Sequence, residues 1–226
     1  MRYLSVLFIL FSVHLFAKQH TVQTRDEIYG LLIEGTDYSG KSSVAKRIGE
    51  ILSEKSINFE MNHCYISRNP TVHFLWDKAK NTEDVLESSW HHAAAAIIDL
   101  ELFTPSSSIF YLQDRNWLSH DCRMKFLHPD ILMIPSDYLS VKHRPFRWNV
   151  YLTVSPEVRK ERYLARNKKS PLNVLIMENM DLMNKYDQFC IDQMPSEENW
   201  IIIDTTNLSV DQIAFRIMNF ISTKDI

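Results

Sequence analysis

One short run of residues has the types and spacing to do chemistry. Gly35-Thr36-Asp37-Tyr38-Ser39-Gly40-Lys41-Ser42 follows the spacing G-x-x-x-x-G-K-[ST]. Glycines let a backbone take φ > 0 and approach a ligand closely. Successive free N–H groups in such a loop cradle a polyphosphate. A helix opening at Lys41 adds its own free N–H groups and the positive end of its dipole. In that setting Lys41 is a point charge beside the transferred phosphate, and the Ser42 hydroxyl can ligate Mg²⁺. Gly35, Thr36, Asp37, Tyr38, Ser39, Gly40, Lys41, Ser42 and Ser43 are therefore the candidate ATP-binding residues. The chain holds only four glycines, Gly30, Gly35, Gly40 and Gly49, so its special backbone is concentrated here.

Further candidates are spread along the chain. Asp114 follows the apolar run Ile109-Phe110-Tyr111-Leu112. Ligands of parallel sheets bind at the carboxyl ends of strands, so Asp114 is placed to hold Mg²⁺ and Arg115 to grip phosphate; a capping Asp beside a surface Arg is the plainer alternative. Arg159, Arg162 and Arg166 recur at i, i+3 and i+7, on one helix face, and Lys168 and Lys169 extend the positive charge. Arginines on a closing lid would neutralise the charge that phosphoryl transfer builds on the equatorial oxygens. A solvated charged face is the alternative.

The elements that must position these groups follow from patterning. Ile28–Ile33 reads as a buried strand stopped by Glu34-Gly35, and Val44, Ile48, Ile51 and Leu52 follow helical spacing from Lys41. Further strands are expected at Asn58–Ile66, Ile109–Leu112, Val150–Val154 and Trp200–Ile203. Thr82 is expected to cap a long helix reaching about Phe103. Ser155-Pro156-Glu157 gives an N-cap followed by Pro at the first helical position, for a helix to about Arg166. A helix is expected over Val174–Met194, and Ser209-x-x-Gln212 caps the last one. Strands alternating with helices, without hairpin signals, indicate a three-layer α/β/α fold on a five-stranded parallel sheet.

Composition narrows the classes. The 226 residues are 45% hydrophobic, enough for one sizeable core. A formal charge of −3 offers no global field for a nucleic acid polymer, so an anion must be held locally. Cys64, Cys122 and Cys190 fit neither a disulfide framework nor a zinc cage, and the nine histidines show no metal-ligand spacing. Residues 1–17 place Arg2 before an apolar run from Leu4 to Phe16. That run is short for a membrane span and suits a signal-peptide core or a buried N-terminal helix. We divide the chain into an apolar segment, residues 1–24, and one domain, residues 25–226.

The extended form Glu34-Gly35-x-Asp37-x-x-Gly40-Lys41-Ser42-Ser43 resembles the thymidylate kinase family, whose loop reads E-G-x-D-x-x-G-K-[ST]. Arg68-Asn69-Pro70 stands where the family has R-E-P, and Asp114-Arg115 where it has D-R, with Trp117 and Ser119 nearby. Val154-Ser155-Pro156-Glu157, then Arg162 and Arg166, looks like the strand, turn and basic lid helix of nucleotide kinases. Tyr186 and Ile203-Asp204 also match in position. The likeness spans about residues 28–221. It implies a P-loop NTPase fold with a helical lid and ATP-dependent, Mg²⁺-assisted phosphoryl transfer to a nucleoside monophosphate. In those terms Lys41, Asp114, Arg115, Arg162 and Arg166 are catalytic, Ser42 and Asp114 hold the metal with the nucleotide, and Asp37, Arg68, Trp90 and Arg115 bind the acceptor. Asp37 could equally shape the loop locally, Arg68 be a surface arginine, and Trp90 a core residue.

Three departures qualify the acceptor. Tyr38 stands where the family has Gly or Arg, so the arginines must come from the lid. The helical arginine of the family's A-[DN]-R segment is missing; Trp90, His91, His92 and Ala93–Ala96 stand there. The tyrosine–glutamine pair after D-R is absent from Ser119-His120-Asp121-Cys122. The alternatives are a deoxynucleoside kinase, for which Asn69 stands where a general base is needed, and an ATP-binding protein of the same fold without catalysis. ATP and a small nucleotide acceptor are the expected partners, a homodimer is implied by analogy, and the need for ATP points to the cytoplasm, with export or anchoring through residues 1–17 as the alternative.

Overall fold

The structure is a computed structural model that describes residues 27–130, 143–166, 179–196 and 198–222. The apolar N-terminal segment, Lys168 and Lys169, and the first residues of the helix expected from Val174 lie outside the described residues. Among the described residues no helix is long and apolar enough to cross a membrane.

Five strands form one parallel sheet: β1 Ile28–Glu34, β2 Phe59–His63, β3 Phe110–Asp114, β4 Phe146–Thr153 and β5 Trp200–Asp204, in the order β2-β3-β1-β4-β5. β1 lies at the centre and its residues are almost all buried, which is why it reads as an unbroken apolar run rather than an alternating one. Seven helices are described: α1 Lys41–Glu54, α2 Pro70–Asn81, α3 Val85–Leu102, α4 Trp117–Leu127, α5 Pro156–Leu164, α6 Met180–Asp192 and α7 Val210–Ser222. On one face of the sheet Leu31, Ile33, Leu112, Trp148 and Val150 pack on Val44, Ile48 and Leu52 of α1 and Ile213, Ile217 and Ile221 of α7. On the other, Tyr151 packs on Trp117, Leu118 and Cys122 of α4 and Cys190 of α6. The fold is three-layered, as the alternation of elements implies.

Register aligns the strand ends that matter. Ile33 of β1 lies opposite Asp114 of β3, and Asp114 opposite His63 of β2. β2 ends at His63, short of the expected Ile66, because Cys64 takes a left-handed conformation (φ 64°). The long helix starts two residues later than expected. Asp84, not Thr82, is its N-cap: its Oδ1 accepts from Leu86 N and Glu87 N, while the Thr82 hydroxyl donates to Glu87 Oε2. Two helices escape the sequence pattern. α2 is capped by Asn69, with Pro70 at its first turn, and α4 is buried on several sides, which removes the apolar stripe. The Ser155 cap and the Ser209–Gln212 reciprocal cap form as expected.

Candidate active site

The loop from Gly35 to Gly40 joins β1 to α1 across the carboxyl edge of the sheet. Gly35, Tyr38 and Gly40 all have positive φ (138°, 67° and 101°). At Gly35 a Cβ would run into the Leu152 carbonyl oxygen of β4, so only glycine fits. Ser39 Oγ donates to the Thr36 carbonyl at 2.9 Å, and Lys41 Nζ donates to the same carbonyl at 2.7 Å. The loop is therefore closed on itself, with its lysine folded inward. Burial and the Arg115 charge lower the Lys41 pKa to about 8, against the opposing pull of Asp37, Asp114 and Glu34.

Strand β3 delivers the acid. Ser42 Oγ donates to Asp114 Oδ2 at 2.6 Å, and His63 Nδ1 lies 3.0 Å from the same oxygen. The other oxygen, Asp114 Oδ1, is buried without a hydrogen-bond partner. Burial resists ionisation of Asp114, but the His63 bond, the Lys41 charge and the Ser42 bond bring its pKa down to about 2. His63 is raised in turn to about 10, by Asp114 first and then by Cys64. A hard oxygen left over on a carboxylate, next to a serine hydroxyl, is a donor set that fits Mg²⁺ arriving with a polyphosphate, because that ion keeps most of its shell from phosphate and water. Among the described residues no cluster of three or more His, Cys, Asp or Glu could hold a metal by itself.

Arg115 leaves β3 through a left-handed residue (φ 69°) and its guanidinium pairs with Asp37. Burial opposes the Asp37 charge, but Arg115, Lys41 and Arg123 outweigh it and hold its pKa below the usual value. Glu34, fully buried, caps the start of α4: its carboxylate accepts from the Asn116 and Ser119 N–H groups and from the Ser119 hydroxyl. Burial pushes its pKa up, against those bonds.

The arginines of α5 take distinct roles. Arg159 is completely buried. Its Nη1 donates to the Thr36 hydroxyl and, at 3.0 Å, to the Asp37 carbonyl, and its Nη2 donates to Asp187 Oδ2 of α6 at 2.8 Å. Asp187 also accepts from Tyr151 Oη at 2.8 Å and Thr36 Oγ1 at 3.1 Å. Arg162 Nη1 donates to the Tyr38 carbonyl at 3.0 Å and to Thr205 Oγ1 at 3.2 Å, and the Arg166 guanidinium lies 5.5 Å from the centre of the Tyr38 ring. Tyr38 thus sits under the arginine helix.

These groups line one cavity of about 710 Å³. It includes Asp37, Tyr38, Gly40, Lys41, Ser42, Ser43, Arg115, Arg162 and Arg166 of the expected residues. Asp114 lies just beneath, through Ser42. Of the expected acceptor-binding residues, two are not brought to it. Arg68 is exposed and faces Glu60 at 3.5 Å. Trp90, half-buried, packs against Ala93 and Met124. The cavity wall there is made instead by His92, His120 and Arg123. His63, Arg123 and Asp187 escaped sequence reasoning because nothing in their spacing links them to the loop. Arg159 was visible in the arginine stripe, but its burial was not.

No protein-family model and no curated protein matches the chain. Solved structures do. A thymidylate kinase from Candida albicans superimposes with a TM-score of 0.59 at 16% identity, covering 87% of this chain and 92% of that one. A deoxyadenosine kinase from M. mycoides, with the products dCMP and dCDP bound, gives 0.61 at 20% identity over 86% and 99%. The fold is that of the nucleotide kinases. The likeness covers nearly the whole described domain, so the P-loop, the sheet order and the arginine helix belong to one architecture.

Proposed function

We propose that this chain transfers the γ-phosphoryl group of ATP to a nucleoside monophosphate. Lys41 and the loop amides would hold the donor phosphates, and Arg115, Arg162 and Arg166 would meet the charge that develops in transit. Mg²⁺, held through Ser42 and Asp114, would supply charge neutralisation between donor phosphates. Little covalent chemistry is asked of the protein, because positioning and electrostatics lower the barrier.

The observation that carries this reading over a nucleoside acceptor is the charge on the cavity wall. Lys41, Lys80, Arg115, Arg123, Arg162 and Arg166 line it, against Asp37, already paired with Arg115, and Glu83. A nucleoside hydroxyl needs a base within hydrogen-bond reach. Asn69, at the position where that acid would stand, caps α2, and His63 is held protonated by Asp114. A phosphate acceptor arrives already ionised and suits a wall of cations.

Release of ADP, followed with a panel of nucleosides and nucleoside monophosphates under ATP–Mg²⁺, tests this. We expect turnover with monophosphates only. Turnover with nucleosides alone would establish the deoxynucleoside kinase reading, and tight ATP binding with no acceptor-dependent ADP would establish a binding protein.

A further inference from the structure

Tyr38 is an unlikely residue for its backbone. Its φ of 67° is left-handed, a conformation that suits glycine, asparagine or aspartate and is an outlier for a bulky side chain. Gly35 and Gly40, on either side of it, take positive φ at no such cost. An aromatic kept where glycine would fit more easily points to a use for its side chain.

What that side chain meets is the arginine helix. The buried Tyr38 ring lies edge to face against Tyr163 of α5, with centres 5.5 Å apart and planes at 89°. The Arg166 guanidinium lies over the same ring, 5.5 Å from its centre. The Tyr38 carbonyl, meanwhile, accepts from Arg162 Nη1 at 3.0 Å. One residue of the phosphate loop therefore touches three residues of α5 and its carboxyl end.

The two arginines are held differently. Arg162 is anchored by fixed oxygens: besides the Tyr38 carbonyl, its Nη1 donates to Thr205 Oγ1 and its Nη2 to the Thr205 carbonyl, each at 3.2 Å. Arg166 lies just past the last residue of α5 and is exposed. Among the described residues no carboxylate is in ion-pair contact with Arg166, and the group that holds its guanidinium is the Tyr38 ring. The difference matters chemically. A carboxylate in that place would occupy the N–H donors and cancel the charge, whereas a ring attracts a guanidinium by its face and leaves its five N–H groups to a phosphate. An arginine without any such seat has to give up its rotamer freedom when it meets the ligand.

Resting on the monophosphate kinase reading, we propose that Tyr38 is a positioning residue, whose ring seats the Arg166 guanidinium beside the phosphate loop with its charge and its donors unspent. The seat would act before chemistry, as preorganisation of a charge aimed at the phosphoryl group in transit.

The test is kcat and KM for ATP, with a nucleoside monophosphate that turns over, in the wild type, in Tyr38→Leu, which keeps apolar bulk without a ring, and in Tyr38→Phe. Tyr38→Leu should lower kcat by about 3- to 30-fold, the range of a cation–π contact from exposed to desolvated, and change KM by less than about twofold. Tyr38→Phe should recover most of that loss. Beside Arg166→Met, where no guanidinium is left to seat, Tyr38→Leu should add little. An equal loss in Tyr38→Phe, a rise in KM with kcat intact, or an undiminished effect of Tyr38→Leu beside Arg166→Met would overturn the assignment. If thermal melting shows that Tyr38→Leu does not fold, Tyr38→Gly, which relaxes the backbone, takes its place. A second measurement does not depend on turnover. The Arg166 Nε–Hε resonance of the free protein, displaced by the ring current, should move towards that of an unstructured arginine in Tyr38→Leu and stay in place in Tyr38→Phe; a resonance that does not move in Tyr38→Leu would also overturn the assignment. Absence of turnover with every monophosphate would strike at the kinase reading alone and leave the resonance to judge Tyr38.

Discussion

Lys41 and His120 are single residues whose surroundings make definite demands. Lys41 Nζ has only neutral oxygens for partners, the Thr36 carbonyl and the Ser39 hydroxyl, so a phosphate would be its first anionic one. Removing one charge-assisted contact to a phosphate costs about 1.5–3 kcal/mol. Lys41→Ala should therefore weaken ATP–Mg²⁺ binding by about 10- to 100-fold in calorimetry, without altering the melting temperature of the free protein by more than a few degrees. His120 makes a prediction about stability. Its ring faces Arg123 from its own helix, Tyr65 and His92 from the other elements, and feels Arg115 and His63 at longer range. The folded pKa is lowered to about 3 from an ordinary 6.5. At pH 7 the ring is neutral in both states. As pH falls through the window from about 6.5 to 3, the unfolded ring takes up a proton that the folded one refuses, so stability falls by about 1.4 kcal/mol per pH unit. His92, depressed in the same sense, adds to the slope. His120→Gln should remove one proton's share of it, read from urea midpoints at pH 7 and pH 5.

Between elements, the unit that matters is the junction of the phosphate loop with α5 and α6. Arg159 and Asp187 bring a completely buried charge and a nearly buried one together, and both touch Thr36 in the loop. Breaking a buried pair from one side leaves the other charge uncompensated and costs about 3–5 kcal/mol, whereas replacing both can be nearly neutral. Asp187→Asn should lower the urea midpoint sharply and weaken ATP binding, since the loop loses its clamp. Adding Arg159→Met to that variant should recover much of the stability but not the binding. A double variant no more stable than Asp187→Asn would show that the pair acts through something other than its charge. This junction marks the limit of what the sequence discloses. The loop was legible because glycine spacing, Lys41 and Ser42 have a local cause, and the Ser155 and Ser209 caps are legible for the same reason. α4 was not, since burial on several sides erases its periodicity. Asp187 meets Arg159 across 28 residues and Thr36 across 151, and no local pattern records such a meeting. Arg68 and Trp90 show the converse: position along the chain suggested an acceptor contact, whereas three-dimensional packing turns one to solvent and sets the other, half-buried, against Ala93 and Met124.

At the scale of the whole molecule, a chain with a net charge of −3 gathers Lys41, Lys80, Arg115, Arg123, Arg162 and Arg166 around one cavity. Low-dielectric walls focus the field of like charges into such a cleft, raising the local concentration of anions. The same charges repel one another when no anion is present, so the free fold carries an electrostatic strain that ligand relieves. A ligand that binds only the folded chain stabilises it by RT ln(1 + [L]/Kd), about 2.7 kcal/mol at a hundredfold excess over Kd. For a domain of this size that corresponds to a rise of roughly 5–10 °C in Tm. ATP and inorganic tripolyphosphate should both produce such a rise, and adenosine almost none, because the cations recognise the phosphates. The free protein should melt lower as ionic strength is reduced, since the Debye length grows and the repulsion is less screened, and tripolyphosphate should abolish that dependence. Equal stabilisation by adenosine and ATP, or a free protein indifferent to salt, would mean that the field of the cleft is not what draws the ligand, and the assignment of its wall as a phosphate-gathering surface would fail with it.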